Sequence, residues 1–223
     1  MAVNIDTVYQ KVLMFANKEQ RGYITPQEFN MFADQAQKEI FEQYFYDIDF
    51  HNRRSGNSTE YSDAIHNLNE KITIFESTGV LVGSNIGATD LYRLGTVRTR
   101  SNQEVEQVQQ NEFLYINNSP LTKPTSDRPI YVRTGNAIRV YPAGTVVDYT
   151  YIRKPVKPNW SYVVVNGKAM YDTSQVVHFE LHESEENELV YKILKFAGVS
   201  MKRNDLAQSS QGLESLQVQQ EKQ

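Results

Sequence analysis

Two stretches carry residue types at spacings that metal chemistry uses. With Asn17 as the first position of a calcium-binding loop, Gly22 falls at the sixth, Ile24 at the eighth and Glu28 at the twelfth. The fifth position, where an oxygen ligand belongs, is Arg21, and a guanidinium among the ligands repels Ca²⁺. Helix punctuation accounts for the same residues: Gly22 ends one helix, and Thr25-Pro26-Gln27-Glu28 is a capping box that opens the next. His178 and His182 stand four apart, as in zinc hydrolases. Those enzymes place a glutamate base directly after the first histidine, and here that residue is Phe179. His178 also ends a strand-like run, SQVVHFEL, which removes it from any shared helical face. His51 and His66 have no partners visible in the sequence.

The carboxylates give no stronger signal. Glu183, Glu185, Glu186 and Glu188 cluster where a helix begins, and the helix dipole alone favours them there. Asp47 and Asp49 would be an acid/base pair only in a cleft that perturbed them, and the sequence supplies none. Gly83 to Gly87 is too loose for a phosphate loop, and no nucleophile elbow or kinase signature occurs. With no cysteine, thiol nucleophiles, disulfides and thiolate metal sites are excluded. No catalytic, cofactor-binding or metal-binding residue is therefore assigned, and the expectation is a protein that is not an enzyme.

A binding surface is the remaining class. The net charge is −4, but ten Lys and Arg stand against five Asp and Glu between Arg93 and Lys157. Tyr131, Tyr141, Tyr149, Tyr151, Trp160 and Tyr162 are interleaved there with Arg133, Arg139, Arg153, Lys154 and Lys157. Basic grooves with stacking platforms for single-stranded nucleic acid use these residue types. Aromatic residues in strands equally form core and cross-strand pairs. A nucleic-acid-binding accessory protein is thus the alternative function. A basic middle on an acidic frame also suits contact with the acidic part of a neighbouring subunit.

The elements that position these residues are α+β. Ile5, Val8, Tyr9, Val12, Leu13 and Ala16 follow one helical face, with Asp6 as cap. A second helix from Pro26 carries Phe29, Phe32, Ala33, Ala36, Ile40, Tyr44 and Ile48, and a second stripe, Phe41 and Phe45, predicts cover on more than one side. His51 to Thr59 reads as a loop; its Asn57-Ser58-Thr59 matches a glycosylation site but carries no weight in a chain without a signal sequence. A third helix runs to Gly79 with Tyr61, Ala64, Ile65, Leu68, Ile72 and Phe75 on one face.

Strand composition follows at 80–82, 92–100, 130–133, 137–141 and 146–153, with Thr134-Gly135-Asn136 and Asn166-Gly167 as hairpin turns. Ser101 to Asn117 fits a helix that interrupts the strands. Leu189, Val190, Ile193, Leu194 and Ala197 mark a returning helix. From Ser200 the chain is polar and Gln-rich, with too little apolar surface to fold alone, and is expected to be an arm. The expected layout is a helical part over 1–79, a β-rich insertion of antiparallel or barrel-like form over 80–178, a helix over 179–199 that rejoins the first part in a bundle, and the arm over 200–223. The first residues lack the pattern of a secretory signal, and no apolar run approaches the about 18 residues of a membrane span.

Several stretches in order resemble a family of virion structural proteins of short-tailed phages, the podovirus and crAss-like ones. They are YQKVLMFANKEQRGYITPQEFNMFADQAQKEIFEQYFYDI, NEFLYINNSPLTKPTSDRPIYVR, and YIRKPVKPNW leading into FELHESEENELVYKILKFAGVS. The resemblance covers most of residues 7 to 200 and includes no catalytic signature. It implies a head-to-tail connector or neck (adaptor) subunit, assembled in the host cytoplasm into a virion. It further implies a homo-oligomeric, dodecameric ring between the portal protein and the tail, in contact with other neck proteins and with the DNA that passes through, and without a membrane.

Overall fold

The computed structural model describes residues 3–17, 24–53, 59–81, 88–135, 137–200 and 204–221. The fold is α+β. In chain order the elements are α1 (Ile5–Asn17), α2 (Pro26–Arg53), α3 (Thr59–Thr73), β1 (Glu76–Leu81), β2 (Leu91–Thr99), β3 (Glu106–Gln107), α4 (Gln110–Asn118), β4 (Ile130–Thr134), β5 (Ala137–Tyr141), β6 (Val147–Arg153), β7 (Tyr162–Val165), β8 (Lys168–Tyr171), α5 (Glu186–Ser200) and α6 (Asn204–Glu221). They form two compact units. Met1–Ile74 and Pro155–Gln223 make a helical unit, and Phe75–Lys154 makes a β-rich one. The β unit thus ends well before residue 178, because the hairpin β7–β8 belongs with the helices.

In the helical unit the apolar spacing is realised as burial. Ile5, Val8, Tyr9, Val12 and Ala16 of α1 are buried, as are Phe29, Ala33, Ala36, Ile40 and Tyr44 of α2. Phe41 and Phe45, the second stripe of α2, are buried too, edge to face at 5.1 Å. The cap of α1 is Asn4 and not Asp6: Asn4 Oδ1 accepts from the Asp6 N–H at 2.9 Å. Asp6 is one turn position too late to cap, and its carboxylate serves elsewhere.

The capping box of α2 forms in both directions. The Thr25 N–H donates to Glu28 Oε2 at 2.9 Å, and the Glu28 N–H donates to Thr25 Oγ1 at 3.3 Å. The Thr25 hydroxyl and then its N–H hold the Glu28 carboxyl below the usual carboxylate range. Thr25→Ala removes the hydroxyl that caps α2 and is expected to cost about 1 kcal/mol in urea unfolding, with Thr25→Ser recovering most of it.

α2 continues through His51 to Arg53, where a loop was expected, and α3 stops at Thr73 rather than Gly79. Gly79 lies inside β1, opposite Tyr149 of β6. A Cβ there would run into the Tyr149 ring, so the glycine admits an aromatic side chain across the sheet and does not end a helix. The polar arm is also a helix, α6, packed along α5.

The β unit holds two three-stranded sheets, ordered β1-β6-β2 and β3-β4-β5. The first is antiparallel throughout, whereas β3 pairs with β4 in parallel, so the insertion is not uniformly antiparallel. Leu81, Leu91, Val97, Val147 and Tyr149 of the first sheet share one apolar cluster with Tyr131, Ile138 and Val140 of the second. The segment expected to be one helix over 101–117 divides. Val105 and Val108 are buried in extended chain, their N–H groups bonded to Val97 O and Tyr131 O, and only Gln110 onward is helical. Pairing to the sheet satisfies that backbone, and the apolar spacing of three misled. The hairpins form as their turn residues predict: Thr134 pairs with Ala137, and Val165 with Lys168 across Asn166 (φ 51°) and Gly167 (φ 75°).

Candidate interaction surface

The hairpin β7–β8 has a fixed base and an apolar tip. At the base, Trp160 is buried and its Nε1–H donates to Asp6 Oδ1 at 2.9 Å. Its ring lies 4.3 Å from Tyr9, which lies 4.7 Å from Phe29, and on its other side it meets Tyr162 and Tyr171, each at 5.8 Å. An aromatic ladder therefore runs from α2 through α1 to the first cross-strand pair of the hairpin. Trp160 is also held along its backbone, its N–H donating to Asn30 Oδ1 at 2.8 Å and its carbonyl accepting from Asn30 Nδ2 at 3.2 Å.

Seven residues on, and so on the same face of α2, Gln37 does the same work. It is fully buried, donates to Val156 O at 2.8 Å and accepts from the Glu180 N–H at 3.1 Å. Glu180 Oε2 accepts from the Val156 N–H at 2.8 Å. Two amide side chains thus replace a strand partner for the irregular chain on either side of the hairpin. Neither was singled out in the sequence; their common signal is two amides seven apart on an otherwise apolar helix face.

Beyond Tyr162 and Tyr171 the hairpin projects. Val163 is 51% exposed, Val164 62%, Val165 46% and Met170 57%. Side chains alternate along a strand and cross-strand partners share a face, so Val163, Val165 and Met170 point away from Trp160, and Val164 with Ala169 lies on its side. A cleft of about 540 Å³ separates that inner side from Tyr9, Gln10 and Leu13 of α1. Hairpins of a self-contained domain put one apolar face on the core and a polar face outward. This one is apolar on both, apart from Lys168 opposite Val165 on the outer face.

A second apolar surface lies on the same unit. Met14 and Phe15 of α1, with Val190 and Tyr191 of α5, line a groove of about 460 Å³ edged by the Lys11–Glu186 ion pair at 2.5 Å. In the β unit, α4 buries none of its residues, and Leu114, Tyr115 and the following Leu121 are exposed; Phe113 attaches the helix by stacking on Tyr141 at 4.2 Å.

The residues first considered for chemistry have structural places. Of the calcium-like stretch Asn17 to Glu28, residues 18–23 lie outside the described residues, and its last position, Glu28, belongs to the capping box of α2. His178 Nδ1 accepts from the Ile5 N–H at 3.4 Å, and His182 Nδ1 accepts from the Ser184 N–H at 3.3 Å as a cap. The two are not on a helix and face different partners. Of the glutamates, Glu185 is buried against Lys71 of α3, Glu186 pairs with Lys11 of α1 and Glu188 with Lys192 one turn on, so lysines hold them in addition to any dipole. Asp47 and Asp49, two apart on α2, diverge. Among the described residues no group of three histidines and acids is placed to hold a metal.

Of the six aromatic residues considered as stacking platforms three are buried, and Tyr141, Tyr151 and Tyr162 are half-buried. Tyr131, Tyr149 and Trp160 are buried, and burial raises the Tyr131 and Tyr149 hydroxyl pKa values. Arg133 shares a face with Ile138, and Arg139 with Val132, so the two arginines lie on opposite faces of the β4–β5 hairpin. Arg98 stands opposite Asp148 in the β2–β6 register. Counted over the compact unit, Phe75–Lys154 has nine Lys and Arg against seven Asp and Glu, a near balance.

No protein-family model matches the chain, and no curated protein matches it. No helix among the described residues is long and apolar enough to cross a membrane.

Proposed function

We propose that the chain is a structural subunit of a tailed-phage virion, a connector of the neck that forms a homo-oligomeric ring between portal and tail and encloses the path of the DNA. The observation that carries this reading is the hairpin β7–β8: a base clamped by Trp160, Asn30 and Asn159, and a tip of exposed valines and methionine. Apolar surface kept rigid and uncovered in one copy is surface that a second molecule covers. The ordered resemblance to short-tailed-phage virion proteins supports that place in the particle. Portal and neighbouring tail proteins are the further partners, and assembly takes place in the host cytoplasm.

Mass photometry of the purified chain, alone and with portal protein, tests the ring. A discrete multiple of the 25.7 kDa chain, twelvefold in the dodecamer, is the expected outcome. A monomer at every concentration and with portal present, together with its absence from purified virions, would overturn the proposal.

A further inference from the structure

Helices α2, α5 and α6 meet at one buried ammonium, and α6 is held there differently from the other two. Lys192 of α5 lies between Glu39 and Gln43 of α2, Glu188 one turn earlier on α5, and Glu214 of α6. Behind it the helices α1, α2 and α5 each bury an apolar stripe, Val8 and Val12 on the first, Ala33, Ala36 and Ile40 on the second, Leu189, Ile193 and Ala197 on the third, and α5 packs on both of the others. Over its described side chains α6 has no such stripe: Ser210 is buried, but Leu213 is 45% and Leu216 58% exposed. What α6 places on α5 is a carboxylate. Glu214 Oε1 lies 2.7 Å from Lys192 Nζ, and its Oε2 lies 3.3 Å from Lys195 Nζ.

The sequence of α6 makes a weak helix. It is rich in Gln and Ser, and Gly212 stands at its middle. Glycine is the poorest helix former after proline. A Cβ at this position would meet nothing within 4 Å, so no close packing calls for the glycine. A helix of this kind is marginal in water by itself and owes its order to what it docks on. Docking and helicity should therefore be lost together, as one cooperative unit.

The charges left behind do not require α6. Lys192 keeps Glu188 at 3.5 Å and Glu39 at 3.3 Å, and Lys195 keeps Glu39 at 3.9 Å. Two ammoniums then face two carboxylates, so withdrawal of Glu214 leaves the junction neutral, and a buried lysine that becomes exposed is solvated by water.

We infer that α6 is a strap that lifts from α5 as one unit while α1, α2 and α5 stay packed, with the Glu214 carboxylate as its latch. Lifting converts Lys192 from a buried cation into an exposed amine. The strap is a property of the single chain and does not depend on the ring.

Two readouts on the full-length chain near neutral pH test it: amide exchange along α5 and α6, and acetylation of Lys192 by an N-hydroxysuccinimide ester, located by peptide mass spectrometry. In the parent, α6 is expected to exchange well before α5 between Leu189 and Ala197. Glu214→Gln keeps the shape and removes the charge. It should raise both α6 exchange and Lys192 acetylation by about tenfold or more, and leave α5 exchange unchanged. Gly212→Ala should act in the opposite direction, lowering both by about two- to fivefold, and it remains informative if the glutamine variant fails to fold.

Exchange of α6 and α5 together, in the parent and in both variants, would overturn the strap, because α6 would then be an integral part of the bundle. Acetylation of Lys192 that Glu214→Gln leaves unchanged would overturn the latch, and α6 exchange that Gly212→Ala leaves unchanged would overturn opening as a helix that melts on release. Neither readout involves self-association, so failure here leaves the ring standing.

Discussion

Lys192→Ala is expected to destabilise the helical unit by about 3–5 kcal/mol, the cost of breaking a buried ion pair from one side. Lys192 is among the most buried side chains of the chain. Its Nζ lies 2.7 Å from Glu214 of α6, 3.3 Å from Glu39 of α2 and 3.5 Å from Glu188 one turn earlier on α5, with Gln43 at 3.4 Å. Lys195 adds a second cation 3.3 Å from Glu214. Alanine would remove the ammonium from beside the largely buried Glu188 and leave Glu214 with Lys195 in its place. Lys192→Met fills the space but leaves the same carboxylates, so it should recover only part of the loss. Urea unfolding followed by far-ultraviolet circular dichroism measures both, and equal stability of the alanine variant and the parent would refute the network's importance.

The pH dependence of that network has a definite sign. Burial alone would lower the Lys192 pKa, but the hydrogen bond to Glu214 and the charges of Glu188, Glu214 and Glu39 outweigh it, and the net shift is upward. For Glu214 burial alone would raise the value, and the hydrogen bond and charge of Lys192, then Lys195, bring it below the ordinary one. A depressed carboxylate stabilises above its unfolded value of about 4.3 and loses that contribution as pH falls through its folded value. A raised lysine stabilises below about 10.4 and loses its contribution as pH rises through its folded value. The α5–α6 contact is thus fully held across the neutral range and released at the acid end through Glu214. With Glu214→Gln the stability difference from the parent should shrink as pH falls below about 4, and a difference independent of pH would contradict the assignment.

The same network explains what the sequence concealed. Residues 200–223 read as an arm because apolar content was the measure of foldability, and α6 does lack it: Leu213 and Leu216 remain exposed. The helix is held to α5 by a charge on the flank of the apolar stripe of Leu189, Ile193 and Ala197, and burial of that lysine has no signature in hydrophobic periodicity. What was legible was local. Thr25 to Glu28 and Asn166-Gly167 specify their cap and turn through atoms within four residues, and both formed. What was missed was distant. Gly79 answers to Tyr149, Glu185 to Lys71 and Gln37 to Val156 and Glu180, partners brought close only by the tertiary fold. The aromatic-rich strands were ambiguous for the same reason: Tyr131 as a stacking platform and Tyr131 as core have identical sequences.

The second large effect is at Trp160. Trp160→Ala should cost about 3–5 kcal/mol, because it empties a buried site ringed by Tyr9, Tyr162 and Tyr171 and leaves Asp6 without its donor. The loss should not be spread evenly. A two-stranded hairpin has little stability of its own in water, and among the described residues β7–β8 pairs with no third strand, so its order depends on the ring beneath Tyr162 and Tyr171. Amide exchange in the alanine variant is therefore expected to rise first and most in Tyr162 to Tyr171, while α5, buried at Leu189, Ile193 and Ala197, keeps its protection near neutral pH. Trp160→Phe keeps a ring in the ladder and loses the Nε1–H to Asp6, at about 1.5–3 kcal/mol for a hydrogen bond to a charged group, and should leave the hairpin protected. The two variants separate the fold from the surface it presents: alanine should abolish assembly under conditions where the monomer is still helical, and phenylalanine should not. Equal protection of the hairpin in both variants would mean that Trp160 fills space beneath β7–β8 without organising it, and the clamped prong would lose its physical basis.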